Sequence, residues 1–217
     1  MIPIFSSIKL VGFDLDNTLY ENNSDIDDRI ATEIARKILD FKPEIKNLGN
    51  ARDLCDKLYL ETGSRTQSLK EIGIENSGEI AHECMERADF LDLIKYDAKL
   101  IDLITKINNK YSTFLITSSS SNHAIARLKK LGLDEKLFDY RIFGESALPN
   151  KKIDGSIFAY FLKMSNHLPH EHLYIGDNLK GDILPAKSLG IKTIAIGNIP
   201  EADYSVEKIY DIRDLLL

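Results

Sequence analysis

Short apolar runs alternate with helical stripes over the second half of the chain, and this alternation restricts the possible folds more than any other feature. The runs that we predict as strands are residues 113–116, 140–143, 172–175 and 192–196. The stripes before and between them place apolar residues three or four positions apart, as in Leu100, Leu103, Ile104 and Ile107, and in Ile125, Leu128 and Leu131. Strands that alternate with helices form βαβ units, which predict a parallel sheet covered by helices.

One further apolar run, residues 8–13, is separated from this region by a long stretch with helical patterning only, from Ser24 to about Leu93. Its first stripe follows a Ser24-x-x-Asp27 pattern typical of a helix start and comprises Ile26, Ile30, Ile34, Ile38 and Phe41. Further helical pieces follow around residues 51–60 and 79–93. We therefore expect the α/β class, with a Rossmann-like parallel sheet core formed by residues 1–20 and 95–217 and an inserted all-helical domain formed by residues 21–94.

Composition and charge exclude several classes of protein. The chain has 217 residues, a net charge of −6 and two cysteines, Cys55 and Cys84. The negative charge argues against a nucleic acid polymer as partner, and two cysteines without a metal-binding pattern predict core thiols. No apolar run approaches the ~20 residues needed to cross a bilayer, and residues 1–9 lack the features of a signal peptide. We expect a cytoplasmic protein, monomeric or a small homo-oligomer, with no membrane partner.

Polar residues follow three of the predicted strands. In open α/β sheets sites form at the carboxyl ends of strands. The side chains found there are Asp14 and Asp16, Thr117 and Ser118, and Asp177 and Asp182, with the pair Lys151 and Lys152 in a loop between the last two strands. Clustered carboxylates repel one another unless a hard cation lies among them, and oxygen ligands favour Mg²⁺. The alternative is that Asp16 and Asp182 each cap the helix that follows.

These residues also resemble a known pattern. Residues 12–20 are similar to the first signature of the haloacid dehalogenase (HAD) superfamily, two aspartates two positions apart before a threonine or valine. The other three signatures follow in order: Thr117 at a strand end, Lys152 in a loop, and a glycine–aspartate pair with a second aspartate five positions on, at residues 176–182. The resemblance covers residues 8–20 and 95–198.

The resemblance implies a role for each matching position. Asp14 would be the nucleophile that forms an aspartyl-phosphate, and Asp16 the general acid and base. Mg²⁺ would be held by Asp14, the backbone carbonyl of Asp16 and Asp177, with Asp182 just outside the direct ligands. The substrate phosphate would be held by Thr117, Ser118 and Lys152.

The third signature departs from the usual Lys-Pro-Asp-Pro, because here it reads Lys152-Ile153-Asp154-Gly155. Lys152 is preferred over Lys151 because Asp154 and Phe158 then keep the family's spacing. Lys151 stays an alternative.

The helical insertion resembles the C1 cap of this superfamily, and residues 58–63 and 121–125 resemble the pyrimidine 5′-nucleotidase group. The resemblance implies a magnesium-dependent phosphatase acting on a small phosphate ester, most simply a nucleoside 5′-monophosphate. Tyr59, Arg65 and Arg87 are candidates for substrate contact, although the favoured interpretation is that Tyr59 packs within the cap and the arginines are solvated. The alternatives are a phosphomutase acting on a sugar phosphate and a non-catalytic binding protein that kept the fold.

Overall fold

A computed structural model of the protein describes residues 5–144 and 150–217. The chain divides into two compact units. The core unit comprises Met1–Glu21 and Ile94–Leu217, and the helical unit comprises Asn22–Leu93. No helix within the described ranges is long and apolar enough to span a lipid bilayer.

The helical unit contains helices α1 (Ser24–Phe41), α2 (Leu48–Thr62), α3 (Arg65–Glu71) and α4 (Ser77–Arg87). Helix α1 begins at Ser24, but the prediction that Ser24 caps it is wrong. The cap is Asn23, because its side chain accepts the amide hydrogens of Asp25 and Ile26. The four isoleucines of the predicted stripe are buried, whereas Phe41 ends the helix and is 51% exposed. Both cysteines are free and buried, as expected.

The core unit is built on a six-stranded sheet. Its strands are β1 (Leu10–Phe13), β2 (Ser112–Ile116), β3 (Tyr140–Ile142), β4 (His172–Gly176), β5 (Lys192–Ile196) and β6 (Tyr204–Val206). Their order is β3-β2-β1-β4-β5-β6, and every neighbouring pair is parallel. This confirms the predicted parallel α/β fold. Strand β6 was not predicted, because it has only three residues and none of them is fully buried.

The helices of the core unit are α5 (Ala98–Asn108), α6 (Ser121–Leu131), α7 (Ser156–Ser165), α8 (Leu184–Ser188) and α9 (Ile212–Leu216). A π-helical turn, Leu179–Ile183, leads directly into α8. The stripe of α5 is buried as predicted. The stripe of α6 is shifted, because Ile125 is 37% exposed and the buried positions are Ala124, Arg127, Leu128 and Leu131.

Aromatic packing fixes α7 against the sheet. The ring of Phe161 lies 4.2 Å, between centroids, from that of Phe114 on β2, and Phe158 packs edge-on to Tyr174 on β4. Phe114 in turn covers Gly12 on β1 so closely that a Cβ atom there would lie 2.0 Å from the ring. The loop before α7 is therefore held close to the ends of the central strands.

Candidate active site

Strands β1, β2 and β4 are neighbours in the sheet, so the polar residues that follow them lie side by side. The register pairs Phe13, the last residue of β1, with Leu115 on β2 and Ile175 on β4. The backbone amide of Asp14 donates to the carbonyl of Ile175 at 2.8 Å, which continues the pairing by one residue. Asp14 thus starts the irregular segment at the carboxyl edge of the sheet.

A buried lysine joins two of the predicted carboxylates. The ammonium of Lys152 donates to the carboxylate of Asp14 and, at 2.8 Å, to Oδ1 of Asp182. All three side chains are buried, and Lys151 is exposed. Asp154 accepts the amide hydrogen of Ser156 at the start of α7, which helps to fix the loop that presents Lys152. The structure therefore places Lys152, rather than Lys151, beside Asp14.

Burial and charge pull the protonation of this cluster in opposite directions. Burial raises the pKa of the Asp14 carboxyl well above its usual range; the nearby Lys152 ammonium opposes this, and the other carboxylates reinforce it. Burial would lower the pKa of Lys152, but the carboxylates of Asp14 and Asp182 outweigh it and raise that pKa. Lys152 therefore stays a cation, while an ionised Asp14 is unfavourable without a further positive charge nearby.

Asp177 follows β4 and is held by the loop after β1. The side-chain amide of Asn17 donates to Asp177 Oδ2 at 2.7 Å, and the hydroxyl of Thr18 lies 3.4 Å from Oδ1. Asn17 has φ +58°, a left-handed conformation that asparagine tolerates better than most residues. Burial and the neighbouring Asp182 raise the pKa of Asp177 to about 6.

The donor set at this edge fits a hard cation. Carboxylate oxygens of Asp14, Asp177 and Asp182 all lie within 4.8 Å of one another. Three carboxylates and the single ammonium of Lys152 leave an excess of negative charge in a largely buried place, which is costly unless a cation compensates it. Oxygen-only ligands select Mg²⁺ or Ca²⁺ over softer metals. Each carboxylate oxygen of Asp182 has a donor, because Oδ1 accepts from Lys152 and Oδ2 accepts from the backbone amide of Asn178.

Asp182 also approaches the sheet so closely that glycine is required opposite it. A Cβ atom on Gly176, the last residue of β4, would lie 2.6 Å from the side chain of Asp182. The turn after β4 is capped by Asn178, whose side chain accepts the amide hydrogens of Lys180 and Gly181. The helix-cap alternative for Asp182 is therefore wrong, because this residue lies within the turn and points back to Lys152.

Asp16 lies in a second, adjacent polar cluster. Its Oδ2 accepts from the hydroxyl of Ser119 at 2.7 Å, and its Oδ1 accepts from Arg127 at 2.9 Å and from the hydroxyl of Tyr20. The cap of α1 is Asn23, so the helix-cap alternative does not hold for Asp16 either. Burial and the Asp16 charge together raise the pKa of Tyr20, which keeps its hydroxyl a donor.

The loop after β2 brings the predicted phosphate-binding residues to the same edge. Thr117 is buried, and its hydroxyl oxygen accepts the amide hydrogen of Ser119 at 3.1 Å. Ser118 is exposed, and a Cβ atom on Gly144 would lie 2.2 Å from its carbonyl oxygen. The structure thus joins Thr117 to Asp16 through Ser119.

Sequence reasoning missed Arg127, Ser119 and Asn17 as members of the site. Arg127 could have been found, because it is a charged residue on the apolar face of an amphipathic helix and such a residue needs a buried partner. Ser119 could not be separated from its neighbours in a run of four serines. The contact of Asn17 with Asp177 joins residues 160 positions apart, which no local pattern reveals.

The three residues proposed for substrate contact in the helical unit have partners within that unit. The guanidinium of Arg65 lies 3.8 Å above the ring of Tyr59 and 3.6 Å from Asp56. Arg87 pairs with Glu83 one helical turn away.

Comparison with known proteins agrees with the geometry. A family model described as haloacid dehalogenase-like hydrolase matches residues 11–196. The phosphoglycolate phosphatase of Mannheimia succiniciproducens is 27% identical over 231 residues, which cover 97% of this chain and 98% of that protein. The glyceraldehyde 3-phosphate phosphatase of Methanocaldococcus jannaschii is 25% identical over 240 residues, covering 96% and 97%.

The fold is also shared with solved structures. A haloacid dehalogenase-like family hydrolase from Streptococcus pneumoniae superposes with a TM-score of 0.67 at 19% identity, covering 98% of this chain and all of that one. At this identity the likeness shows the fold alone. The family model, by contrast, spans most of the chain, including all four segments that meet at the edge of the sheet. The chain therefore belongs to the haloacid dehalogenase-like hydrolases.

Proposed function

We propose that this protein is a magnesium-dependent phosphatase that hydrolyses a small phosphate monoester through an aspartyl-phosphate on Asp14. The observation that carries the proposal is the buried triad of Lys152, Asp14 and Asp182, with Asp177 beside it, at the carboxyl edge of a parallel sheet. A buried lysine between two carboxylates suits a site that receives a further anionic group together with a cation.

In the first step a carboxylate oxygen of Asp14 attacks phosphorus. The bond from phosphorus to the ester oxygen breaks, and that oxygen takes a proton from Asp16. Lys152 lies against Asp14 and offsets the negative charge of the transferring phosphoryl group. Thr117 and the backbone amide of Ser118 are proposed to hold the phosphoryl oxygens.

In the second step Asp16, now ionised, takes a proton from water, and the water oxygen attacks phosphorus. The bond from phosphorus to Asp14 breaks, which releases inorganic phosphate and restores the carboxylate. Mg²⁺ would be held by Asp14, the backbone carbonyl of Asp16 and Asp177, with Asp182 outside the direct ligands, and when bound it supplies positive charge next to the phosphoryl oxygens.

The substrate class is proposed from the relatives. They are named as phosphatases of phosphoglycolate and of glyceraldehyde 3-phosphate, neither of which is a nucleotide. These names favour a short phosphate ester over the nucleoside 5′-monophosphate expected from the nucleotidase-like segments. We further propose that the helical unit acts as the cap that selects the substrate.

The test is phosphate release, with and without Mg²⁺, from a panel of phosphoglycolate, glyceraldehyde 3-phosphate, nucleoside 5′-monophosphates and sugar phosphates. The Asp14→Asn variant is the blank. We expect magnesium-dependent release, fastest from a short ester. Fast release from UMP or CMP would support the nucleotidase assignment and leave the proposed aspartyl-phosphate mechanism unchanged. Transfer of phosphate to a sugar without release would support the phosphomutase, and no reaction with any ester would contradict the phosphatase.

A further inference from the structure

Among the described residues of the core unit, Arg127 is the largest fully buried side chain that the catalytic steps above do not use. It lies on α6, where the other buried residues, Ala124, Leu128 and Leu131, are all apolar. Removing a guanidinium from water is costly, and an apolar residue of similar volume would often stabilise a fold as well or better. The position of Arg127 therefore calls for an explanation other than core stability.

Two hydrogen bonds of Arg127 connect it to Asp16, one directly and one through Ser119. Its NH1 group donates to Asp16 Oδ1 at 2.9 Å and to the hydroxyl oxygen of Ser119 at 2.6 Å. The Ser119 hydroxyl donates in turn to Asp16 Oδ2 at 2.7 Å. The three side chains form a closed ring in which both carboxylate oxygens of Asp16 have a donor.

The ring joins three parts of the site. Asp16 belongs to the loop after β1, Ser119 to the loop after β2, and Arg127 to α6. The Ser119 amide also donates to the hydroxyl oxygen of Thr117, and the Tyr20 hydroxyl adds a third donor to Asp16. A carboxylate with donors on both oxygens has little freedom to rotate, and displacing a proton-transfer group by about 1 Å can cost ~100-fold in rate.

We propose that Arg127, together with Ser119, is a positioning residue that fixes the Asp16 carboxylate for proton transfer to and from the reacting oxygens. The inference rests on the proposed function of Asp16 and goes beyond it by assigning the groups that hold this carboxylate in place. In this role Arg127 acts through the Asp16 carboxylate and not on the substrate itself.

A double-mutant cycle with two leaving groups tests this role. The variants are Arg127→Met, Asp16→Asn and the double variant, and the probes are phenyl phosphate and p-nitrophenyl phosphate with Mg²⁺. With Asp16 in place, R127M should lower kcat/KM for phenyl phosphate by about 10- to 100-fold and for p-nitrophenyl phosphate by less than about 5-fold, because the better leaving group needs less protonation. In the D16N background R127M should change kcat/KM less than about 2-fold.

Two further variants keep the test informative if R127M folds poorly. Ser119→Ala removes one donor from Asp16 and should give the same leaving-group pattern at about 3- to 10-fold. Arg127→Lys keeps a positive donor and should recover part of the activity lost in R127M. The matched control is Arg141→Met, an exposed arginine on β3, which should leave both rates unchanged.

Equal losses for both esters, or the same loss in the D16N background as in the wild type, would overturn the positioning role while leaving the phosphatase intact. If the wild-type protein releases no phosphate, or releases it in a way that does not depend on Asp14, the proposed function is wrong and this inference falls with it. A loss that is specific to phenyl phosphate and absent without Asp16 would support both.

Discussion

In the core unit Lys152 pairs with Asp14 and Asp182 below the surface, whereas in the helical unit ion pairs such as Arg87 with Glu83 lie in solvent. Each ion pair described within the helical unit has a partner whose side chain is at least 44% exposed. The three side chains of the core triad are each exposed by less than a tenth. Exposed pairs contribute little to stability, whereas buried charges persist only where something requires them.

This difference in the burial of ion pairs distinguishes a candidate site from an ordinary charged surface without any knowledge of the reaction. The helical unit is richer in charged residues than the core unit, with 26 of 72 residues against 36 of 145, so charge content alone does not locate the site. Burial does, because only in the core unit does the described structure hold several carboxylates together around one lysine. The variants below test whether that difference is functional.

The largest effect is expected from Asp14→Asn. The amide cannot attack phosphorus, so turnover should fall by ~10⁴-fold or more. Because burial already makes an ionised Asp14 unfavourable in the metal-free protein, the thermal midpoint should stay the same or rise. Phosphate release and a thermal melt on the same sample measure both. Activity that survives would show that Asp14 is not the nucleophile.

Lys152→Met and Lys151→Met form a matched pair of adjacent lysines, one buried and one exposed. K152M removes the only ammonium bonded to Asp14 and Asp182 in the described part of the chain, so kcat should fall by about 10²- to 10³-fold. Its thermal midpoint should also drop in magnesium-free buffer, because two buried carboxylates lose their partner. K151M should stay within about 2-fold of the wild type in kcat. Equal effects from the two variants would contradict the assignment of Lys152.

Magnesium should stabilise the protein in a pH-dependent way. The pKa of Asp177 is about 6 in the folded protein against 3.8 for an ordinary aspartate, so the folded state binds the extra proton. In metal-free protein the stability linked to Asp177 is therefore greatest below about pH 4 and falls until about pH 6, where it levels off. Mg²⁺ requires the ionised carboxylate.

The rise in Tm on adding Mg²⁺ should accordingly be small at about pH 5 and several degrees larger at about pH 7.5. Differential scanning fluorimetry across this range measures it. The Asp177→Asn variant is the control and should lose most of the rise at both values. A rise that is the same at both pH values in the wild type would argue that Mg²⁺ binds away from Asp177.

The smallest effect is expected in the helical unit. Arg87→Ala removes an exposed ion pair with Glu83, and the thermal midpoint should move by no more than about 1 °C. A thermal melt in low salt, where surface pairs are strongest, is the strictest check. A shift as large as that of K152M would show that burial does not separate the two units as we argue.

Much of the fold could be predicted because the strands are short apolar runs bounded by polar turns. Five of the six strands follow directly from local patterns. Local patterns failed where the element was short, as in β6 and α3. They also failed at the start of α1, where Asn23 and Ser24 are equally good caps and only the backbone decides between them.

The candidate site was predictable only in part, for a different reason. The acidic residues after β1 and β4 are visible in the sequence because a charge at the end of a buried strand breaks the apolar pattern. Their supporting partners are not, since Arg127 lies 111 positions from Asp16 and Ser119 lies 103 positions from it. Such contacts are made by the fold, and no spacing rule encodes them.

The central claim is that Asp14 becomes phosphorylated, and the most direct measurement is to find the phosphoryl group. Wild-type protein and the Asp16→Asn variant are mixed with p-nitrophenyl phosphate and Mg²⁺, quenched in acid and mapped by peptide mass spectrometry. We predict phosphate on Asp14 in both samples, with more in D16N because water is no longer activated for the second step. Phosphate on another residue, or none while p-nitrophenol is released, would contradict the account.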